Sequence, residues 1–202
     1  MISKETIKIN KNLILNLLRN IDNGTDAESL HRFLKWIEES DFFTAPSSTM
    51  YHLACEGGLA QHSLHVYSLL REKATRYGLD VPTSSIILCG LCHDLCKVNF
   101  YGKELRNKKI DGRWESVEVW VVKDQFPMGH GEKSVSILQE FFHLTEIERL
   151  AIRYHMGAWE SGPHFSYSSG QSLNAACDIH PLIPLLCTSD YEASQILERE
   201  ET

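Results

Sequence analysis

Long hydrophobic runs are missing from this chain of 202 residues. The first apolar stretch, Leu13–Leu18, is short and interrupted by Asn16. A bilayer-crossing helix needs roughly 20 apolar residues, so no membrane partner is expected. The opening MISKETIKINKN is charged and polar, unlike the basic-then-apolar pattern of a secretion signal, which sets the expectation of a cytoplasmic protein. Cysteine is too sparse for a disulfide scaffold; six in a chain of this size fit a reducing compartment. Positive charge is in deficit. The formal net charge of −7 argues against unspecific coating of nucleic acid, while leaving room for a local basic pocket that takes a phosphate. Repeats, low-complexity tracts and linkers are also lacking. The length suits one domain, or one domain with an appendage, and a hydrophobic fraction of 43% suffices for a core.

Helical periodicity dominates what is present. Ile7, Ile14, Leu17 and Leu18 give residues 4–19 an amphipathic pattern. Thr25 and Glu28 have the spacing of a capping box ahead of the stripe Leu30, Phe33, Leu34 and Ile37. Pro46 and nearby serines break residues 41–51 into a loop or a very short helix. One helix is predicted over 59–76, closed by Tyr77-Gly78, and the next from Pro82-Thr83-Ser84 through CGLCHDLCK at 89–97. Residues 97–113 are rich in Lys and Arg and read as a loop. Asp111-Gly112 is a turn signal, and RWESVEVWVV after it reads as a short strand or hairpin. Helices follow over 132–143 and, behind a capping box at Thr145 and Glu148, up to Met156. GAWESGPHFSYSSGQS reads as a loop, and Asp178 is placed to cap a last helix with Pro181 in its first turn, reaching Glu198.

Ionisable groups inside apolar helical stripes are the informative feature. Stepping each helix at about 100° per residue places His62 among Val66, Leu69 and Leu70, with His65 at the edge of that arc. His155 falls beside Ala151 and Ile152, and Asp190 among Leu182, Ile183, Leu186 and Ala193. Each alone reads best as a satisfied core residue. Several in one chain read better as metal-capable groups aimed at a shared interior, because a buried acid must be paired, protonated or metal-bound.

The stretch CGLCHDLCK holds two competing signatures. Cys89-Gly90-Leu91-Cys92-His93 matches C-x-x-C-H, the haem c attachment string, and a haem absorbance band would support a redox protein. On the wheel, however, Cys89, Cys92 and Cys96 share a strip with Leu88 and Leu95, where free cysteine packs as ordinary core. His93 and Asp94 occupy another face, with Gly90 one turn earlier, where it makes space for a ligand or a neighbouring helix.

The ordered set His62, His93-Asp94, His130, His155 and Asp190 resembles the HD superfamily of metal-dependent phosphohydrolases, pattern H…HD…D. It is most similar to the branch with two further histidines before the final Asp, which includes cyclic-dinucleotide phosphodiesterases and an HD-type bacterial 3′–5′ exoribonuclease. The flanks agree: APSSTMYHLACEGGLAQHSLHV around the first ligand, HDLCK as H-D-x-x-K, GHGEKS around the third histidine and SDYEAS around the closing acid. The likeness covers residues 42–195.

The resemblance implies an all-α fold, an HD-domain helical bundle with a small β-hairpin insertion. Residues 1–41 would form a helical extension packed on the core, and residues 42–202 the HD catalytic domain. His62, His93, Asp94 and Asp190 would bind one divalent transition metal. Asp94 would bridge to a second held by His130 and His155. Imidazole and carboxylate ligands suit Fe, Mn, Ni, Co or Zn; no haem is expected. Asp94 and Lys97 carry the implied catalytic roles, with Lys97, His52 and His164 toward substrate. Lys97 reads equally as a solvated cation at a helix C-terminus. The chain departs from many two-metal relatives at Met156, where they have a second histidine before the glycine. The expected activity is hydrolysis of a phosphoester in a small phosphorylated substrate, a nucleotide or short oligonucleotide. A homodimer is compatible with this. The alternative is a non-catalytic module that binds a nucleotide or metal for regulation. The basic stretch from Lys97 to Arg113 reads as a positive rim or a solvated loop, and Trp114, Trp120 and Trp159 as base-stacking or packing side chains.

Overall fold

The computed structural model describes residues 1–157 and 167–199. Helix α1 spans Lys4–Arg19 behind Ser3, whose hydroxyl accepts the Thr6 N–H. Helix α2 spans Ala27–Glu39. Its cap is Asp26, accepting from the Ser29 N–H at 2.8 Å, so the expected Thr25/Glu28 box does not form. A carboxylate one position later is the stronger acceptor for the same orphan donors. These helices add Ile14, Leu18, Phe33 and Ile37 to one hydrophobic core shared with Leu59, Leu70, Leu88 and Ile152.

Helix α3 (Gly58–Arg76) and helix α4 (Thr83–Cys92) form the centre of the bundle. They meet at Gly90, where an added Cβ would lie 2.6 Å from the Tyr67 Cα. The space the glycine makes is therefore taken by a neighbouring helix. Helix α4 stops earlier than the periodicity predicts. Asp94 leaves helical geometry (φ −104°, ψ 21°) and a 3₁₀ turn, Leu95–Lys97, follows. The Cys96 N–H donates to the Ser134 hydroxyl at 3.0 Å, a partner that replaces the carbonyl a continuing helix would supply.

Residues 97–113 are not a loop throughout. Strand β1 (Tyr101–Ile110) pairs antiparallel with strand β2 (Arg113–Val122), from Tyr101↔Val122 to Ile110↔Arg113. Cross-strand pairing overrides the turn-like propensity of the Lys- and Asn-bearing segment. At its tip both Asp111 (φ 47°) and Gly112 (φ 83°) are left-handed, the turn type whose twist matches a hairpin.

Helix α5 runs His130–Gln139, and helix α6 runs Glu146–Arg153 behind the expected Thr145/Glu148 capping box. Helix α6 ends before Met156, so His155 lies in the turn beyond it. Helix α7 (Tyr167–Ile179) occupies part of the segment expected as loop, and contains Asp178, which therefore does not cap the last helix as expected. Pro181 caps helix α8 (Leu182–Glu192), and a π-helical turn, Ala193–Leu197, closes the described chain. Trp159 and His164 lie outside the described residues. No helix among the described residues is long and apolar enough to cross a membrane.

Candidate metal centre

Asp94 sits at the middle of the bundle, 1% exposed. The helix break at its own position turns its carboxylate to where other elements deliver their ligands. Its two oxygens have different neighbours. Oδ2 lies 3.5 Å from His62 Nε2 and 3.6 Å from His93 Nε2. Oδ1 lies 2.8 Å from His130 Nε2 and 3.4 Å from His155 Nε2. Asp190 of α8 joins the first group, with Oδ1 3.0 Å from His62 Nε2. The six predicted metal-capable residues thus converge.

His93 and His155 are each oriented by the other ring nitrogen. His93 Nδ1 is 3.0 Å from the Gly90 carbonyl, and His155 Nδ1 is 2.7 Å from the Ile152 carbonyl. A carbonyl only accepts, so both Nδ1 atoms carry the proton and both Nε2 atoms offer a lone pair. Among the described residues the buried His155 Nε2 has no close hydrogen-bond partner, its nearest acceptor being Asp94 Oδ1 at 3.4 Å. An orphaned buried nitrogen aimed at a carboxylate among other imidazoles fits a cation ligand.

The electrostatics are set by charges packed out of water. Burial would raise the Asp94 carboxyl, but Lys97, with Nζ 2.6 Å from Oδ2, and the imidazoles hold it well below the usual carboxylate range. Burial likewise opposes charge on Lys97, and Asp94 reverses that and keeps it protonated. Lys97 is therefore not the solvated helix-end cation; it is 9% exposed. His62 is pushed down by burial but carried up to about 10 by Asp190 and Glu198. Burial, helped by the neighbouring His155 and His62 and opposed by Asp94 and Asp190, lowers His93 to about 3. The field that keeps a proton on His62 would equally attract a divalent cation, and the two compete for Nε2.

Glu198 is a functional candidate that the sequence pattern did not flag. It is 5% exposed, and both carboxylate oxygens lie 3.0 Å from His62 Nδ1. His65 Nδ1 donates to it at 2.8 Å. Gln61 connects His65, at 2.7 Å, to buried Asn10 of α1, at 2.9 Å. A polar chain therefore runs from the N-terminal helix to a metal-capable histidine. His52 approaches the same carboxylate at 4.0 Å, and burial lowers it to about 4. Among the described residues three sets of donor atoms cluster tightly enough for an ion: His62, His93 and Asp94; Asp94, Cys96 and His130; and His52, His62 and Glu198. The C-x-x-C-H cysteines pack: Cys89 and Cys92 are fully buried in the core, whereas Cys96 also lies 3.8 Å from Asp94 Oδ1.

The centre opens toward solvent on one side, where the side chains of His130, Asp190 and Lys97 are 27%, 14% and 11% exposed. No curated protein and no solved structure matches the chain. The family model for the HD domain matches residues 59–186. That span holds the His93-Asp94 pair and the three other inner histidines, and Asp190 just beyond it is tied to them through His62. With the greater part of its length matched and its histidines and aspartates gathered at one point, this chain belongs to the HD domain family.

Proposed function

We propose that the chain is a metal-dependent phosphohydrolase acting on a phosphoester of a nucleotide-like substrate, with residues 42–202 as its catalytic unit and residues 1–41 as an extension. The division of labour between the two Asp94 oxygens carries this reading. In it His62, His93, Asp94 and Asp190 hold one divalent cation, and Asp94, His130 and His155 hold a second. Fe, Mn, Ni, Co or Zn suits these nitrogen and carboxylate donors. Such cations supply a water deprotonated near neutral pH and a Lewis acid for phosphoryl oxygens. Lys97 keeps one ammonium hydrogen on Asp94 and turns the others to a phosphate oxygen. His52, uncharged at neutral pH, lines the substrate side beside Glu198.

Met156 favours a second reading, a module that binds a nucleotide or metal for regulation, because its thioether stands where many relatives place another imidazole. One experiment separates the two. Metal content and hydrolysis of bis(p-nitrophenyl) phosphate are measured for wild type, Asp94→Ala and Asp94→Asn. The asparagine preserves shape and an acceptor for Lys97, so it guards against mere unfolding. Wild type is expected to carry metal and turn over, and both variants to lose both. Turnover that survives thorough metal stripping would sink the mechanism; metal without turnover selects the regulatory reading.

A further inference from the structure

Cys96 stands apart from the other cysteines of CGLCHDLCK. It is 3% exposed, yet it lies outside the hydrophobic core to which Cys89 and Cys92 belong. A continuous helix would keep all three on one strip. The break at Asp94 and the 3₁₀ turn after it change the phase, and Cys96 Sγ comes to lie 3.8 Å from Asp94 Oδ1. Its backbone is pinned there by the Ser134 hydroxyl, which accepts the Cys96 N–H at 3.0 Å. Ser134 is fully buried and stands about one turn beyond His130 on α5. One helix therefore sets both the thiol and an imidazole against the same carboxylate.

The two Asp94 oxygens face donors of different chemistry. Oδ2 meets the imidazoles of His62 and His93 and the ammonium of Lys97. Oδ1 meets His130 Nε2 at 2.8 Å, His155 Nε2 at 3.4 Å and Cys96 Sγ at 3.8 Å. The donor atoms of Asp94, Cys96 and His130 all lie within 4.8 Å of one another. A tetrahedral ion with nitrogen and oxygen at about 2.0–2.1 Å and sulfur at about 2.3 Å has edges of about 3.3 Å between nitrogen and oxygen and about 3.5 Å between sulfur and oxygen. His155 and Cys96 already stand close to those edges, and His130 has to give by about 0.5 Å.

A simpler reading makes the thiol a weak S–H donor to Oδ1. Burial and the Asp94 charge do keep it protonated while no cation is bound. That reading leaves His155 unexplained. His155 is 1% exposed, its Nδ1 proton goes to the Ile152 carbonyl, and its Nε2 faces the same Oδ1 without a hydrogen bond. Two buried acceptors turned toward each other need a proton or a cation between them. A proton shared by imidazole and carboxylate draws the pair to about 2.7–2.9 Å; a gap of 3.4 Å suits an ion, and an ion there also meets Sγ.

We propose that Cys96 is a metal ligand, completing with Asp94 Oδ1, His130 and His155 a four-donor site that selects zinc or cobalt over manganese. The proposal rests on the metal-dependent reading of the centre and names the chemistry of its second cation. A soft thiolate favours zinc-like ions, whereas carboxylate and water suit manganese. On binding, the Sγ–H bond breaks, a metal–sulfur bond forms and the proton leaves to solvent.

The test is cobalt(II) titration of the whole chain followed by absorbance, with zinc and manganese affinities taken from chelator competition. Wild type is expected to develop the near-ultraviolet charge-transfer band of a cobalt–thiolate bond. X-ray absorption of the zinc-loaded protein should show sulfur at about 2.3 Å. Cys96→Ala and Cys96→Ser, with circular dichroism unchanged, should lose both the band and the sulfur. Their zinc affinity should fall roughly tenfold or more, since losing even an outer partner of a ligand costs about 10- to 100-fold, and manganese affinity should fall less. Cobalt bound by wild type without the band, or a band that persists in Cys96→Ser, would overturn the assignment. So would a zinc environment of nitrogen and oxygen only, which wild type reports by itself even where the variants do not fold. None of these readouts uses turnover. Thiolate ligation without hydrolysis keeps Cys96 and removes the phosphohydrolase reading. Hydrolysis of bis(p-nitrophenyl) phosphate at a centre without sulfur removes Cys96 alone, and a wild type that binds no metal removes both.

Discussion

Asp94 and Glu198 act on the same histidine from opposite sides: Asp94 Oδ2 faces His62 Nε2 at 3.5 Å, and Glu198 holds Nδ1 at 3.0 Å. A carboxylate on the far nitrogen fixes the ring and raises the basicity of the ligating lone pair. Glu198→Ala is expected to weaken metal affinity about 10- to 100-fold, the usual effect of losing such a partner, as read by chelator competition. Glu198→Gln keeps an acceptor oxygen without the charge and should fall between. Equal affinities for wild type and Glu198→Ala would remove Glu198 from the site. The difference in legibility between these residues is physical. His62, His155 and Asp190 stand out because each interrupts an apolar stripe at helical spacing. Glu198 sits in the charged run ERE, and a wheel continued from α8 gives it no special phase. The π-helical turn shifts that phase: the Glu198 N–H bonds the Ala193 carbonyl at 3.0 Å, five residues back, and the side chain turns inward.

At the scale of elements, the site depends on where helices end as much as on where they run. Helix α4 breaks at Asp94, α6 stops two residues before His155, and α5 begins at His130. Wheel reasoning puts His155 inward and Asp94 on one face with His93 while assigning both to continuous helices, and leaves His130 just ahead of the helix predicted over 132–143. The facing survives the error because each lies within about a turn of a true helix end. The strand in 101–110 was harder to read, since its partner is supplied only after the Asp111-Gly112 turn reverses the chain. The tail of the Gly/Ser-rich stretch read as loop for a similar reason: polar propensity is weak against the contacts of α7 with α8. Gly90 is where element packing and ligand geometry coincide. Its missing Cβ lets α4 meet the Tyr67 backbone, and its carbonyl takes the His93 proton. Gly90→Ala must push the helices apart, and overpacking of this kind costs about 1–3 kcal/mol. In a chain of this size that is a melting-temperature drop of roughly 2–12 °C, at about 2–4 °C per kcal/mol. Metal affinity should fall with it, because His93 moves with the carbonyl that orients it. A Gly90→Ala protein that melts and binds metal like wild type would show that α3 and α4 have slack.

For the whole molecule, the centre ties together segments that lie far apart in sequence. His62 comes from α3, Asp94 from the break after α4, His130 from α5, His155 from the turn after α6 and Asp190 from α8. Asn10 adds α1 through Gln61 and His65, giving the N-terminal helix a polar route to the site as well as its share of the core. At the centre the three carboxylates of Asp94, Asp190 and Glu198 are offset in part by Lys97 and by protonation of His62, which leaves a negative site that a cation would complete. An unfolded chain does not gather these ligands, so a cation that binds them stabilises the fold by mass action. At about one hundred times its dissociation constant it contributes about 2.7 kcal/mol, a rise of roughly 5–11 °C at about 2–4 °C per kcal/mol. The expected result is a melting temperature that climbs with manganese or zinc, falls back with a chelator, and does not respond in Asp94→Asn. Asp94→Ala should melt lower than Asp94→Asn even without metal, since it strands the ammonium of Lys97 in the interior, and uncompensated buried charges cost about 3–5 kcal/mol. A metal response retained in Asp94→Asn would locate the stabilising ion elsewhere. No response in wild type would mean that these converging side chains hold one another and not a metal.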